Sequence, residues 1–145
     1  MNDNIVDILL VEDNPQDVEL TLRTLNKHHI ANNIFVVIDG EEALDYLFCK
    51  GKFSERENIP PKVIFLDIKL PKVNGLEVLK TIKMDEELRN IPIVMLTSSL
   101  EDPDIKAAYA LGANSYVVKP VDIVSFTETI NSLGLYWLVI NHPPK

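Results

Sequence analysis

Five short apolar blocks alternate with stretches of helical spacing, and this alternation leaves the chain few architectures to choose from. The blocks are IVDILLV (5–11), IFVVI (34–38), VIFLD (63–67), IPIVMLTS (91–98) and SYVVK (115–119). Continuous apolar runs of this length fit strands that are covered on both faces. Asn14 is placed to cap a first helix, with Pro15 at its first position and Val18, Leu22 and Leu25 along one face. A second helix is predicted over DGEEALDYLF (39–48), and a third carries Leu76, Leu79 and Ile82. A fourth spans 102–111 and stops at Gly112, and a fifth starts at Val121. The segment KGKFSERENIPP (50–61) is charged, with a glycine and paired prolines, and reads as an exposed loop. Strands joined through helices over short connections call for right-handed crossovers. The expected class is therefore α/β, a doubly wound five-stranded parallel sheet with helices on both faces.

At 145 residues, 46% of them hydrophobic, the chain suits one domain with a full core. The net charge of -8, without any Lys/Arg run, removes the electrostatic term that drives nucleic-acid binding, so no nucleic-acid partner is expected. No apolar window is long enough for a membrane span and the first residues have no signal-peptide pattern, so no membrane partner is expected. Cys49 stands alone, which excludes a disulfide framework and fits a cytoplasmic setting. His28, His29 and His142 lack the spacing of a metal or catalytic site and read as surface residues.

The ends of the blocks carry the chemistry. In an open parallel sheet, ligands bind at the carboxyl ends of the strands. Glu12 and Asp13 follow the first strand, Asp67 closes the third, Thr97 ends the fourth and Lys119 the fifth. One rim thus gathers three carboxylates, a hydroxyl and an ammonium. Carboxylates crowded together repel unless a cation neutralises them, and oxygen donors in a half-open site suit Mg²⁺. The donor set points to phosphoryl transfer. An ionised Asp67 can attack phosphorus, while Thr97 and Lys119 can hold the remaining oxygens.

LLVEDN (9–14), FLDIKLP (65–71) with NG at 74 and 75, MLTS (95–98) and YVVKP (116–120) together resemble the receiver domains of bacterial two-component response regulators. The resemblance covers essentially the whole chain. It implies a flavodoxin-like sheet of order 2-1-3-4-5, with Asp67 as phosphoacceptor. It also implies Mg²⁺ held by Asp13, Asp67 and the backbone carbonyl of Lys69, with Glu12 acting through a metal-bound water. Thr97 and Lys119 would contact the phosphoryl oxygens, and Tyr116 would be either the aromatic that changes rotamer or an ordinary packing residue. Lys69 and Ser99, two positions beyond Asp67 and Thr97, would tune the lifetime of the phosphoryl group. The peptide between Lys119 and Pro120 would be cis. Glu12 stands where such domains often have an aspartate.

The long segment before the third strand and the ending LYWLVINHPPK resemble the small stand-alone response regulators of cyanobacterial phytochrome histidine kinases. A sensor histidine kinase of phytochrome type is the implied partner. Rival readings fit less well. A phosphatase of the haloacid dehalogenase type needs a second aspartate where Lys69 stands, and a flavodoxin needs a Ser/Thr/Gly phosphate loop where EDNPQD would repel the phosphate. An inert adaptor would have no use for the full acidic set. The domain is read as 1–145, with 133–145 an apolar extension. Phe126, Ile130, Leu133, Trp137 and Ile140 continue a helical stride, while other apolar residues point elsewhere. Either this tail folds back over its own domain, or it forms a homodimer with helix four, strand five and helix five, with Phe126, Ile130, Tyr136, Trp137 and Val139 at the interface.

Overall fold

The strands form inside the apolar blocks and are shorter than them. The computed structural model describes residues 5–28, 33–98 and 102–135. In it β1 is Ile8–Val11, β2 Ile34–Val37, β3 Val63–Asp67, β4 Ile93–Thr97 and β5 Ser115–Val118. The helices are α1 (Pro15–Lys27), α2 (Gly40–Leu47), α3 (Gly75–Lys83), α4 (Asp104–Ala110) and α5 (Ile123–Ser132). All strand pairs are parallel and the order is β2-β1-β3-β4-β5. This is the doubly wound, flavodoxin-like arrangement expected from the alternation and the motifs.

Side chains alternate across each strand, so an apolar block feeds two cores at once. Leu9, Val11, Ile64, Leu66, Ile93 and Met95 meet Ala43, Leu79, Ile82 and Ala108 from α2, α3 and α4. Ile8, Leu10, Phe65, Val94 and Leu96 meet Leu25 of α1 and Phe126 and Ile130 of α5 on the other side. Burying both faces leaves the strand ends as the place where polar groups can gather.

Helix starts are fixed by caps that lie close behind the strand ends. The Asn14 side chain accepts from the Gln16 and Asp17 amides, Asn74 from Glu77 and Asp122 from Ser125. Gly75 donates its N–H to the Ile68 carbonyl at 2.8 Å. A Cβ at that position would collide with the carbonyls of Asp67 and Ile68. The glycine of the NG pair therefore lets α3 start against the end of β3.

Two expectations need correction. The 50–61 segment is more than an exposed loop: it contains a short 3₁₀ turn, Gly51–Phe53. Phe53 packs edge-on against Phe35 and Tyr46, and the Arg56 guanidinium lies 4.0 Å over the Tyr46 ring. Its charges faced outward in the sequence while its one phenylalanine and one arginine found partners on β2 and α2. The second correction concerns α5, which ends at Ser132 instead of running into the tail. Gly134 adopts φ +76°, and Leu133 and Leu135 turn onto the α1/α5 core. Phe126 and Ile130 are fully buried there, Phe126 stacked on Phe65 at 5.5 Å. They are core residues of their own domain and are not available to a dimer interface. Tyr136, Trp137 and Val139 lie outside the described residues.

Candidate functional site

The parallel register brings four strand ends to one rim. Asp67 pairs with Leu96, one residue before Thr97, and Thr97 pairs with Val118, one residue before Lys119. Val11 pairs with Leu66, so Glu12 emerges beside Asp67. The Lys119 N–H donates to the Thr97 carbonyl at 2.7 Å, and the Lys119–Pro120 peptide is cis.

Lys119 Nζ sits at the centre of the cluster. It donates to Asp67 Oδ2 at 2.9 Å and to Glu12 Oε1 at 3.0 Å, and lies 3.2 Å from Asp17 Oδ2. Glu12 is 1% exposed and Asp67 4%, whereas Asp13 is open to solvent. The Asn14 amide donates to Glu12 Oε2, and the Lys69 amide donates to Asp67 Oδ1 at 3.2 Å. The hydroxyl of Thr97, itself 1% exposed, donates to Asp102 Oδ2 at 3.2 Å. These groups line a cleft of about 170 Å³ that also takes in Asp13, Ile68 and Ser98.

Burial, above all, pushes the Glu12 carboxyl up to about 7, and the hydrogen bond and charge of Asp67 add to it. The Asn14 amide and Lys119 pull the other way without cancelling the effect. Burial disfavours the charge on Lys119 too, but the hydrogen bonds to Asp67 and Glu12 outweigh it and hold the ammonium above the ordinary lysine range. One ammonium is therefore shared among more carboxylates than it can neutralise. Oxygens of Glu12, Asp13 and Asp67 all lie within 4.8 Å of one another. This hard, all-oxygen donor set fits a divalent cation such as Mg²⁺ and offers no sulfur or imidazole to a softer metal.

Of the predicted residues, Glu12, Asp13, Asp67, Lys69, Thr97 and Lys119 line this one cleft. Tyr116 does not line it: half-buried on β5, it meets the Tyr109 ring of α4 edge-on at 6.0 Å. Ser99 lies outside the described residues. Sequence reading missed two participants. Asp17 reads as an acidic residue of a first helical turn, and Asp102 as the start of a helix, so neither advertised a side chain turned to the rim.

The family model described as the response regulator receiver domain matches residues 8–131. The chain belongs to that family. The receiver is 40% identical over 94% of its length to FilR2 of Methanothrix harundinacea, covering 86% of that protein, whose given name is that of a methanogenesis regulatory protein. It is 36% identical over 90% of its length to the response regulator Rcp1 of Synechocystis, covering 88% of it. The solved Mn²⁺-bound form of Rcp1 superposes with a TM-score of 0.75, at 32% identity over 97% of this chain and 99% of that one. The bacteriophytochrome response regulator RtBRR is more similar, with a TM-score of 0.86 and 52% identity over 97% of this chain and 84% of that one. The receiver is thus a homologue of phytochrome response regulators and a switch protein of phosphorylation-dependent signalling. No helix among the described residues is long and apolar enough to cross a membrane.

Proposed function

We propose that this receiver, acting as one unit over 1–145, takes a phosphoryl group from a histidine kinase onto Asp67 and returns it to water. The observation that carries the reading is the Lys119 ammonium bonded to both Asp67 and Glu12 at the edge of an acidic cleft. Asp67 keeps one oxygen against Lys69 N–H and the other against Lys119. Both contacts hold the nucleophile in place and aim it at the cleft. As its oxygen bonds to phosphorus, the donor's imidazole leaves. Lys119 and the Thr97 hydroxyl then take up the phosphoryl oxygens.

Glu12 (through water), Asp13, Asp67 and the Lys69 carbonyl would hold Mg²⁺. When bound there, the ion supplies the positive charge that Lys119 alone does not and a template for phosphoryl oxygens. Lys69 and Ser99 tune the lifetime by admitting or hindering the attacking water. Thr97 moving toward the phosphoryl group makes room for Tyr116 to turn inward, and this shifts the α4–β5–α5 surface.

The donor we propose is a phytochrome-type kinase, on the strength of the likeness to RtBRR, and a cytoplasmic setting goes with such a partner. A homodimer over α4, β5, α5 and the tail remains a proposal in revised form. It draws on exposed Tyr109 and Val124, 45% and 63% exposed, and on Tyr136, Trp137 and Val139, and excludes Phe126 and Ile130. Sedimentation of the whole chain beside one ending at Leu133 tests it, and a monomeric whole chain removes it.

The function is tested by phosphotransfer from histidine kinases of the same organism, with Asp67→Asn alongside. Labelling of the parent and none of the folded variant is expected. Full labelling of Asp67→Asn overturns the assignment.

A further inference from the structure

Thr97 Oγ1 carries a single proton, and a hydroxyl can give that proton to one acceptor at a time. Among the described residues its hydroxyl donates to Asp102 Oδ2, at 3.2 Å. The other oxygen of the same carboxylate accepts the Asp104 amide at 2.9 Å, at the first residue of α4. Asp102 therefore ties the end of β4 to the start of α4 through one side chain. It also lines the cleft that receives the phosphoryl group, facing the same space as Glu12, Asp13 and Asp67. No metal-ligand set includes it, since the carboxylates close enough to share a cation among the described residues are Glu12, Asp13 and Asp67.

The geometry points to Asp102 as a positioning residue that holds the Thr97 hydroxyl until a phosphoryl oxygen takes it over, so that phosphorylation is read as the loss of the Thr97–Asp102 bond. Two physical facts set its strength. The separation is longer than the 2.7–2.8 Å at which hydroxyl donors are commonest, so the bond is weak enough to be exchanged. The competing phosphoryl oxygen is an anionic acceptor like the carboxylate, and at the shorter separation usual for such acceptors it would make the stronger bond. Once Thr97 leaves, the Asp102 carboxylate keeps only the α4 amide among the bonds described here, and the start of α4 is no longer tied to β4 through this side chain. α4 carries Tyr109, which packs on Tyr116 of β5, so the released contact connects to the surface proposed above to move.

The inference rests on Asp67 being the phosphoacceptor, and its test separates the two. Beryllofluoride, an anion that mimics the phosphoryl group, is titrated in Mg²⁺ and read by fluorine NMR. The variants are Asp102→Asn, Thr97→Val and the double variant, with Asp67→Asn as the control for the site. Asp102→Asn can keep an oxygen on the Asp104 amide while placing an NH₂ where Thr97 needs an acceptor. It is expected to tighten beryllofluoride binding about three- to tenfold, the range for the net worth of one long, weak hydrogen bond. Removal of a negative charge from the cleft would also tighten binding, but by the same factor whether or not residue 97 has a hydroxyl. In the Thr97→Val background the gain must therefore shrink to that residual charge effect. An equal gain in both backgrounds overturns the role of Asp102 and leaves Asp67 standing. Absence of binding by the parent, or equal binding by Asp67→Asn, overturns the site reading and the inference with it.

Discussion

Two of the half-buried cations among the described residues, Lys119 at the rim and Arg56 in the segment before β3, are held in opposite ways. Lys119 is surrounded by carboxylates, with Asp67, Glu12 and Asp17 at 2.9, 3.0 and 3.2 Å. Arg56 is surrounded by neutral groups. Its Nε donates to the Tyr46 carbonyl, its Nη1 to the Glu57 and Ile59 carbonyls, and its plane lies over the Tyr46 ring. Backbone carbonyls and a packed ring have nowhere to go, so Arg56 works as a clamp. Carboxylates can change partner when a metal or a phosphoryl group arrives, so the bonds of Lys119 are made to be exchanged. A buried cation among anions says little about stability, because desolvation offsets most of the attraction. It says more about a site that awaits another charge.

The largest expected effect lies at the rim. Lys119→Ala is expected to slow phosphorylation about a hundredfold, the usual consequence of losing one donor to a developing anion, while Mg²⁺ affinity does not fall. Asp13→Ala is expected to do the reverse and abolish the Mg²⁺ titration first. Calorimetric Mg²⁺ titrations of both variants, beside rates with a small acyl phosphate, check the pair. A collapse of Mg²⁺ affinity in Lys119→Ala would place this lysine among the groups that organise the metal site instead of the phosphoryl group.

The next effect is a pH dependence at the rim. The Glu12 carboxyl is raised from 4.5 to about 7, so the folded protein binds a proton more tightly there than the unfolded chain does. This stabilisation is fully present below about pH 4.5 and is lost as pH rises through about 7, a change of up to about 3 kcal/mol. An ionised Glu12 is the form that would hold the water of a bound Mg²⁺ and face its charge, so Mg²⁺ affinity is expected to rise across the same window. Denaturant unfolding with a chelator present, repeated with Glu12→Gln, tests both signs. A parent and variant with identical pH profiles would show that Glu12 is not the group responsible.

The smallest effects belong to the clamp. Arg56→Ala is expected to cost about 2 kcal/mol of stability, since three carbonyl contacts and one ring contact are lost from a partly exposed group. Phosphorylation should be unchanged. Arg56→Lys keeps the charge but not the planar fork, and should recover less than half of that loss. Urea unfolding of both variants measures it. Full rescue by lysine would show that charge, and not the shape of the guanidinium, holds the segment.

How legible each part was follows from how local its cause is. Strand period, helix period and caps act over a few residues, so the Asn14 cap, the apolar blocks and the sheet class were readable from the chain alone. The rim was readable for the same reason, because a strand's last residue in a parallel sheet has a known place. Asp17 and Asp102 were not, since a helix-start aspartate has one local use in the sequence and found a second only across the fold. The stride from Phe126 to Ile140 suggested one continuous helix, but the left-handed turn at Gly134 ends it, and Leu133 and Leu135 were drawn onto the α1/α5 core.

The sequence by itself determined the alternation of strands and helices, the two-faced burial of the sheet and the set of groups at its carboxyl ends, because these depend on spacing along the chain. Tertiary structure alone decided which carboxylates share Lys119, that Thr97 turns to Asp102, that Arg56 closes over Tyr46 and that Phe126 and Ile130 face inward. Those choices join residues as far apart as Glu12 and Lys119, 107 positions along the chain. They are made by strand order and by which side chain reaches a shared space first, and no local pattern encodes either.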